Sequence, residues 1–354
     1  MKSITHYWQS INFVSLILAP LSFFFCFLVS IRRFFYRIGV FKSTSSQLPV
    51  IVVGNIYIGG NGKTPFVVWL VEQLKDAGYK PGVVSRGYGA QESGAQESGA
   101  KDLAWPRRVD LHQDVQLFGD EPFLIHQSTQ CPVYIDPIRP RAIEQISLDT
   151  DCDVIISDDG LQHYAMSRYI EINITDAKRL YGNGLCLPAG PLREKESRLR
   201  SVDYIIYNIS RYNLKKMMQQ YENKSFTMDF EASIVKPVFS GGGQSMTLSD
   251  FKGKIVHAVA GIGDPEQFFR FLESHGLNVI THPFADHYQY KQKDLLFNEP
   301  YPIIMTEKDA VKYQSFSSDS SISELWYLPI KARVDNKLIN KIITQLKSFK
   351  TNYK

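Results

Sequence analysis

Charge of one sign is not in excess in this chain. Its 354 residues carry 40 Lys and Arg against 36 Asp and Glu, a formal net charge of +4. So small and dispersed an excess leaves no electrostatic footprint for nucleic acid, and no nucleic-acid partner is expected. Cysteine is scarce, with four residues: Cys26, Cys131, Cys152 and Cys186. None is spaced Cys-x-x-Cys and no His/Cys cluster accompanies them, which excludes the usual zinc and redox frameworks. The expectation is reduced, mostly buried thiols in a cytosolic protein. Charge is missing altogether from one stretch, Ile11–Ser30, which reads INFVSLILAPLSFFFCFLVS.

That run is about as long as a helix needs to span a bilayer. Asn12, Pro20 and three serines dilute it. The next stretch, IRRFFYRIGVFK, interleaves Arg32, Arg33, Arg37 and Lys42 with Phe34, Phe35, Tyr36 and Phe41. Such a mixture suits the headgroup zone, with rings at the interface and cations toward anionic lipid. A cleaved signal peptide would place its basic residues before the apolar run and end in a small-residue cleavage site, and neither is present. A buried core helix is the bland alternative. Residues 1–44 are expected to form a membrane anchor in contact with inner-membrane lipid. If the helix spans, the positive-inside rule places all that follows in the cytoplasm.

From Leu48 the pattern becomes α/β. LPVIVVGN reads as a buried strand and PFVVWLVEQLKDAG as the helix after it, ended by Gly78. KPGVVSRGYG, PVYIDP, CDVIISDD, YIEINITD and VDYIIYN read as further strands separated by helices and loops. This alternation predicts a mostly parallel sheet of the P-loop NTPase type, with helices on both faces. The tandem AQESG at 90–99 reads as a flexible surface insertion. SGGGQSM (240–246) marks a junction, after which strand–turn–helix patterns resume. The expected organisation is an anchor (1–44), a P-loop domain (45–225) and a smaller α/β domain (226–354).

The strongest motif is Gly59-Gly60-Asn61-Gly62-Lys63-Thr64-Pro65, set between the first strand and its helix. The usual pattern is G-x-x-x-x-G-K-[ST], and its first glycine would fall at Tyr57. The strict pattern therefore fails at one position, while Gly59 and Gly60 still free the loop. Tyr57, Ile58 and the four residues that follow would cradle phosphates with backbone N–H groups at a helix N-terminus. Lys63 would reach the β- and γ-phosphates and Thr64 would ligate Mg²⁺. Such a loop needs an acidic partner at another strand end. CDVIISDDGLQHY supplies Asp158 and Asp159, one of which would hold the metal.

Other polar loops lack an explanation in the phosphate loop alone. GDEP (119–122) sets Asp120 and Glu121 before an apolar helix. SRGYG, PIRPR and LPAGPLRE supply Arg86, Arg139, Arg193 and Glu194, and FADHY (284–288) supplies Asp286 and His287. Each has a bland reading as well, as helix caps, surface ion pairs or a satisfied loop histidine.

Taken in order along nearly the whole chain, VVGNIYIGGNGKTP, VVSRGYG, GDEP, SDDGLQHY, GNGLCLPAGPLRE, AGIGDPEQFF, ADHY and MTEKDAVK resemble the tetraacyldisaccharide 4′-kinase family of Gram-negative bacteria. The family's loop also lacks the early glycine. The resemblance implies ATP and Mg²⁺ as cofactors. It implies transfer of the γ-phosphate to the 4′-hydroxyl of a tetraacylated glucosamine disaccharide 1-phosphate, giving lipid IVA in lipid A biosynthesis. It implies that Asp120 is the catalytic base, that His287 pairs with it, and that Arg193, with Glu194, Glu121, Arg139 and Arg86, lines the phosphate and substrate region. No obligate protein partner is implied. With the base and histidine in different expected domains, closure over substrate would bring them together. A GTPase or nucleotide-driven metal chaperone is the rival reading. It would need an Asn/Thr-Lys-x-Asp element, and in MTEKD Asp309 follows Lys308 directly. A non-catalytic membrane adaptor is a third possibility, and the intact Lys63, Thr64 and Asp158 argue against it.

Overall fold

The computed structural model describes residues 7–60, 62–87, 90, 105–209, 219–239, 244–313 and 324–352. Asn61, nearly all of the AQESG tandem and most of the 240–246 junction lie outside the described residues. Contacts divide the chain into two compact units. The first is Met1–Arg86, Cys131–Asp229 and Ala332–Lys354, and the second is Gly87–Gln130 and Phe230–Lys331. The sequence suggested one cut near residue 226. Instead, the segment carrying GDEP groups with the later chain and the C-terminal helix groups with the first unit.

In the first unit, β1 (Val50–Gly54), β2 (Pro81–Ser85), β4 (Val133–Ile135), β5 (Val154–Ser157), β6 (Ile170–Asp176), β7 (Tyr204–Asn208) and β8 (Ser225–Glu231) lie in the order β8-β7-β6-β1-β5-β2-β4. Every neighbouring pair in that run is parallel. The inner strands are apolar and buried along their whole length, as a parallel sheet covered on both faces requires. The chain leaves β1 toward β2 on one side and later returns to β6 on the other. The crevice outside the carboxyl ends of β1 and β5 is therefore a switch point, where α/β sheets bind ligands. Helix α2 (Lys63–Asp76) follows β1 and buries Phe66, Val67, Leu70, Val71 and Leu74.

Helix α1 (Phe13–Arg37) is longer than the uncharged run, continuing through the basic and aromatic stretch. Asn12 caps it by accepting the Ser15 N–H at 3.0 Å, while Ser15 Oγ accepts the Asn12 N–H at 2.8 Å. Pro20 lies inside it. Its buried residues are Ser15, Ser22 and Cys26, a single stripe at helical spacing. Its large apolar residues face outward, with Phe13 77% exposed and Phe23 64% exposed. A water-soluble helix has the opposite arrangement, and exposed apolar area of this extent marks an interaction surface. By length and composition the helix can cross a membrane.

The inward stripe is tied to the loop before Arg193. Ser22 Oγ donates to the Cys186 carbonyl at 2.7 Å, and Trp8 Nε1 donates to the Pro188 carbonyl at 3.1 Å. One turn beyond Ser22, Cys26 forms a disulfide with Cys186, their Cα atoms 6.4 Å apart. This corrects the expectation of four reduced thiols. The pairing joins residues 160 apart, which linear spacing could not show. Cys131 and Cys152 are buried and lie outside that disulfide.

The second unit carries the short β3 (Arg107–Arg108) and a sheet of β9 (Ile234–Pro237), β10 (Met246–Thr247), β11 (Ile255–Ala260), β12 (Asn278–Pro283), β13 (Ile303–Thr306) and β14 (Leu325–Leu328), in the order β10-β9-β14-β13-β11-β12. Strands β14, β13, β11 and β12 are parallel, and β9 and β10 join antiparallel. Helix α5 (Pro265–Ser274) packs Phe268, Phe269 and Leu272 into this core. Two helices matter for the site, α3 (Asp120–Thr129) and α6 (Glu307–Tyr313), and they pack on each other.

Candidate active site

The candidate residues fall into two groups, one in each unit. In the first unit, β1 and β5 are hydrogen-bonded neighbours, so the loops leaving them lie side by side. Lys63 opens α2 behind Gly62, whose φ of 82° lies in the left-handed region that glycine enters without strain. Its Nζ is 3.6 Å from Asp159 Oδ1. Arg193 Nη1 is 3.0 Å from Asp159 Oδ2 and 3.1 Å from Oδ1. Burial would raise the pKa of Asp159, but Lys63 and Arg193 outweigh it and hold the carboxyl below its usual value.

Arg193 reaches this place because residues 191–193 run beside the approach to the phosphate loop. Ile58 N–H donates to the Pro191 carbonyl at 2.9 Å and Arg193 N–H to the Ile56 carbonyl at 2.7 Å. Tyr57, standing where the strict pattern has glycine, is buried and bridges to Leu192. The loop is thus stiffened by pairing with another segment where other P-loops rely on glycine.

Asp158 is buried and receives Ser85 Oγ at 3.4 Å. Its carbonyl accepts Arg139 Nη2 at 2.6 Å. Arg139 is itself buried at the start of helix α4 (Arg139–Asp149), and burial pushes its pKa down to about 10. Among the described residues its Nε and Nη1 find no acceptor. Arg86 follows β2 in an exposed position, near enough to Arg139 and His163 for its charge to act on both. His163 is pushed down to about 4 by burial and by Arg139, so it is neutral at physiological pH.

Glu194 is buried and fully engaged within the protein. Gln162 Nε2 donates to one oxygen at 2.9 Å and Tyr164 OH to the other at 2.6 Å, with Arg198 Nε 3.6 Å away. Gln162 also donates to the Asn55 carbonyl at 3.1 Å and receives Arg193 Nη1 at 3.4 Å. Glu194 therefore braces the neighbours of Arg193. Sequence reasoning missed Gln162, although it lies inside the quoted DDGLQHY.

The second unit holds Asp120, Glu121 and His287. Asp120 is the first residue of α3, behind Gly119 at φ 86°. His287 follows β12 and has φ 60°, a left-handed conformation uncommon for a side chain of this size and often found at functional sites. Its Nδ1 is 3.1 Å from Asp120 Oδ2. The pair thus sits within one compact unit and forms without any closure between units. Asp120 is buried, which would raise its pKa, but the His287 hydrogen bond and Lys308 together hold it below 3.8. His287 is raised above 6.5, chiefly by the same hydrogen bond.

Asp309, the residue a guanine reader would need, is instead buried in a structural network. It accepts Gly261 N–H at 2.9 Å and Thr306 Oγ1 at 2.5 Å, and pairs with Lys312 at 2.8 Å.

A glycine loop and lysine between a strand and a helix, beside acidic residues on the neighbouring strand of a parallel sheet, define a P-loop phosphotransferase. The family model described as tetraacyldisaccharide-1-P 4′-kinase matches residues 14–347. A tetraacyldisaccharide 4′-kinase of Methylobacillus flagellatus is 43% identical over 340 residues, covering 96% of this chain and 94% of the relative. One of Hahella chejuensis is 40% identical over 345 residues, again covering 96% and 94%. The crystal structure of LpxK from Aquifex aeolicus in complex with ATP superposes with a TM-score of 0.74 at 25% identity, covering 94% of this chain and 99% of that one. This chain belongs to the tetraacyldisaccharide-1-P 4′-kinase family.

Proposed function

We propose that this kinase moves the γ-phosphate of ATP to the 4′-hydroxyl of a tetraacyl glucosamine disaccharide 1-phosphate, with Asp120 as the base and His287 as its partner. The family membership supports the reaction. The observation that carries the assignment of roles is the buried Asp120 carboxylate, 3.1 Å from His287 and held ionised. A sugar hydroxyl is a poor nucleophile, so a carboxylate accepts its proton as the new P–O bond forms. His287 fixes the orientation of that carboxylate and shares its proton.

Lys63 and Arg193 supply positive charge for the transferring oxygens, and the N–H groups of buried Arg139 that have no acceptor among the described residues add donors of the right kind. Thr64 hydroxyl and the Asp158 and Asp159 carboxylates are hard oxygen donors at adjoining strand and helix ends, a set that fits Mg²⁺. The bound ion would neutralise phosphate charge. The outward apolar face of α1 supports a position at the inner membrane, and Arg32, Arg33 and Arg37 in the helix with Lys42 just beyond it support a cytoplasmic side for the rest of the chain. Acyl chains then stay in the bilayer while the hydroxyl reaches the site.

Incubation with radiolabelled ATP and the lipid disaccharide, with GTP as control, tests the assignment. Labelled 4′-phosphorylated lipid from ATP is expected. Equal labelling from GTP, or nucleotide hydrolysis without lipid product, would overturn it.

A further inference from the structure

Lys308, in the TEKDAVK stretch, is a charged group that the proposed reaction leaves without a role. Lys308 lies in the first turn of α6, its side chain only 18% exposed. Its Nζ is 3.3 Å from Asp286 Oδ1, 3.5 Å from Glu121 Oε1 and 3.6 Å from Asp120 Oδ2. Three carboxylates, from the start of α3 and the loop after β12, converge on one ammonium. An exposed lysine makes such pairs loosely and one at a time. Here the cation sits under the base, in the same compact unit.

The contacts also sort the two oxygens of Asp120. His287 and Lys308 both address Oδ2. Oδ1 accepts only the Glu121 N–H, at 3.1 Å, among the hydrogen bonds seen for it, and a carboxylate oxygen has room for a second donor. We infer that Lys308 is a positioning residue for the base, its ammonium fixing Oδ2 of Asp120 and leaving Oδ1 as the atom that takes the hydroxyl proton. This rests on the reading of Asp120 and His287 as the base pair.

The ammonium also balances charge. The groups facing Asp120 are Glu121 on its own helix, His287 and Asp286 from the loop after β12, and Lys308 and Lys312 from α6. Lys312 is occupied by Asp309 at 2.8 Å, and His287 is a cation only when protonated. Lys308 is the nearest permanent cation. Burial would favour its neutral amine, but Glu121, Asp120 and Asp286 outweigh burial and keep it charged. Without it, three carboxylates would crowd one site, and such crowding favours protonation.

The acidic limb of the pH–rate profile reports the first proton taken up by the coupled Asp120–His287 pair. At an effective dielectric constant of about 20, a unit charge this close corresponds to as much as about three pH units, and solvent relaxation leaves about one. The test is the profile of kcat/KM for lipid in the full-length enzyme, with ATP binding and thermal unfolding confirming the fold of each variant. Lys308→Gln is expected to move the acidic limb up by about one pH unit or more, and Lys308→Arg to leave it near wild type. Asp286→Asn, which removes a negative charge beside both His287 and Lys308 while keeping the ammonium in place, is expected to move the limb down. It keeps the inference testable should Lys308→Gln fail to fold. A limb unmoved in Lys308→Gln, or in Asp286→Asn, would overturn the inference even if activity fell. Asp120→Ala separates this failure from that of the underlying reading. If Asp120→Ala keeps the wild-type limb, the base assignment falls and Lys308's role with it. If Asp120→Ala loses the limb while Lys308→Gln leaves it in place, only the role of Lys308 falls.

Discussion

Helix α1 presents two faces, and they can be perturbed separately. Leu16, Phe23 and Phe27 are about 60% exposed and repeat at the spacing of the buried Ser15, Ser22 and Cys26, one residue on. Replacing Leu16, Phe23 and Phe27 by serine leaves the contacts with Cys186 and Pro188 in place. Full burial of such a side chain is worth about 1.5–3 kcal/mol, so burying the exposed portion in lipid contributes about 1–2 kcal/mol each. Three substitutions therefore weaken membrane partitioning by about 3–5 kcal/mol, a factor of about 10²–10³ or more. Liposome flotation measures that factor directly. In detergent micelles with saturating lipid substrate, kcat and the KM for ATP should stay within about twofold, because nothing that holds Arg193 or Lys63 has changed. A triple variant that floats with liposomes as wild type does would refute the lipid-facing assignment. A folded variant that leaves the membrane yet also loses kcat in micelles would refute the separation of faces. Deleting residues 1–40 is a blunter test, since it also removes Trp8, Ser22 and Cys26 from the loop before Arg193. A lower kcat is expected for that truncation.

Lys63→Ala should lower kcat/KM by about 10²–10⁴, since its charge acts mainly on the transition state, and steady-state kinetics at varied ATP would show it. Glu194→Ala leaves the buried Tyr164 hydroxyl without its acceptor, while Arg198 keeps Glu171, and chemical denaturation should show a loss of about 1–3 kcal/mol. His287 has a folded-state pKa above 6.5, so its pairing with Asp120 adds stability that is fully present below pH 6.5 and is lost as pH rises through the folded value. The stability difference between wild type and His287→Ala, read from urea unfolding at several pH values, should therefore shrink on going from mildly acidic to alkaline solution. Asp120 has the opposite sign, its contribution being present above pH 3.8 and lost as pH falls through its lowered folded value.

That the residues of the proposed nucleotide half lie together was legible because their signals are local. A buried strand, a glycine loop and GKT lie within one short stretch, and the Asp158–Asp159 pair ends a second apolar strand. Parallel pairing of β1 with β5 then follows from an ordinary α/β pattern. The acid–base half depends on contacts between residues far apart in sequence. Asp120 and His287 are separated by 167 positions, and no periodicity indicates that residues 87–130 fold with the later chain. For that reason the pair was expected to straddle two domains, whereas it lies in one. Lys308 was hidden in the same way, since a lysine at a helix start reads as a solvated charge until its three carboxylates are placed around it. The inward stripe of α1 was masked by its own chemistry. Ser22 looked like dilution of an apolar span and Cys26 like a reduced thiol within it, and they are the residues that tie the helix to Cys186. The family resemblance implied that Glu194 lines the substrate region, and only the fold reveals that Gln162, Tyr164 and Arg198 engage it.

The central claim is that Asp120 and His287 act as one catalytic unit, and a double-mutant cycle on kcat tests it most directly. Asp120→Ala and His287→Ala, each checked for ATP binding and fold, are compared with the variant carrying both. Residues that work as a unit give strongly non-additive losses. Each single substitution should lower kcat greatly, and the double variant should fall within about threefold of Asp120→Ala. Losses that multiply in the double variant would mean that the two side chains act independently, and would contradict the account.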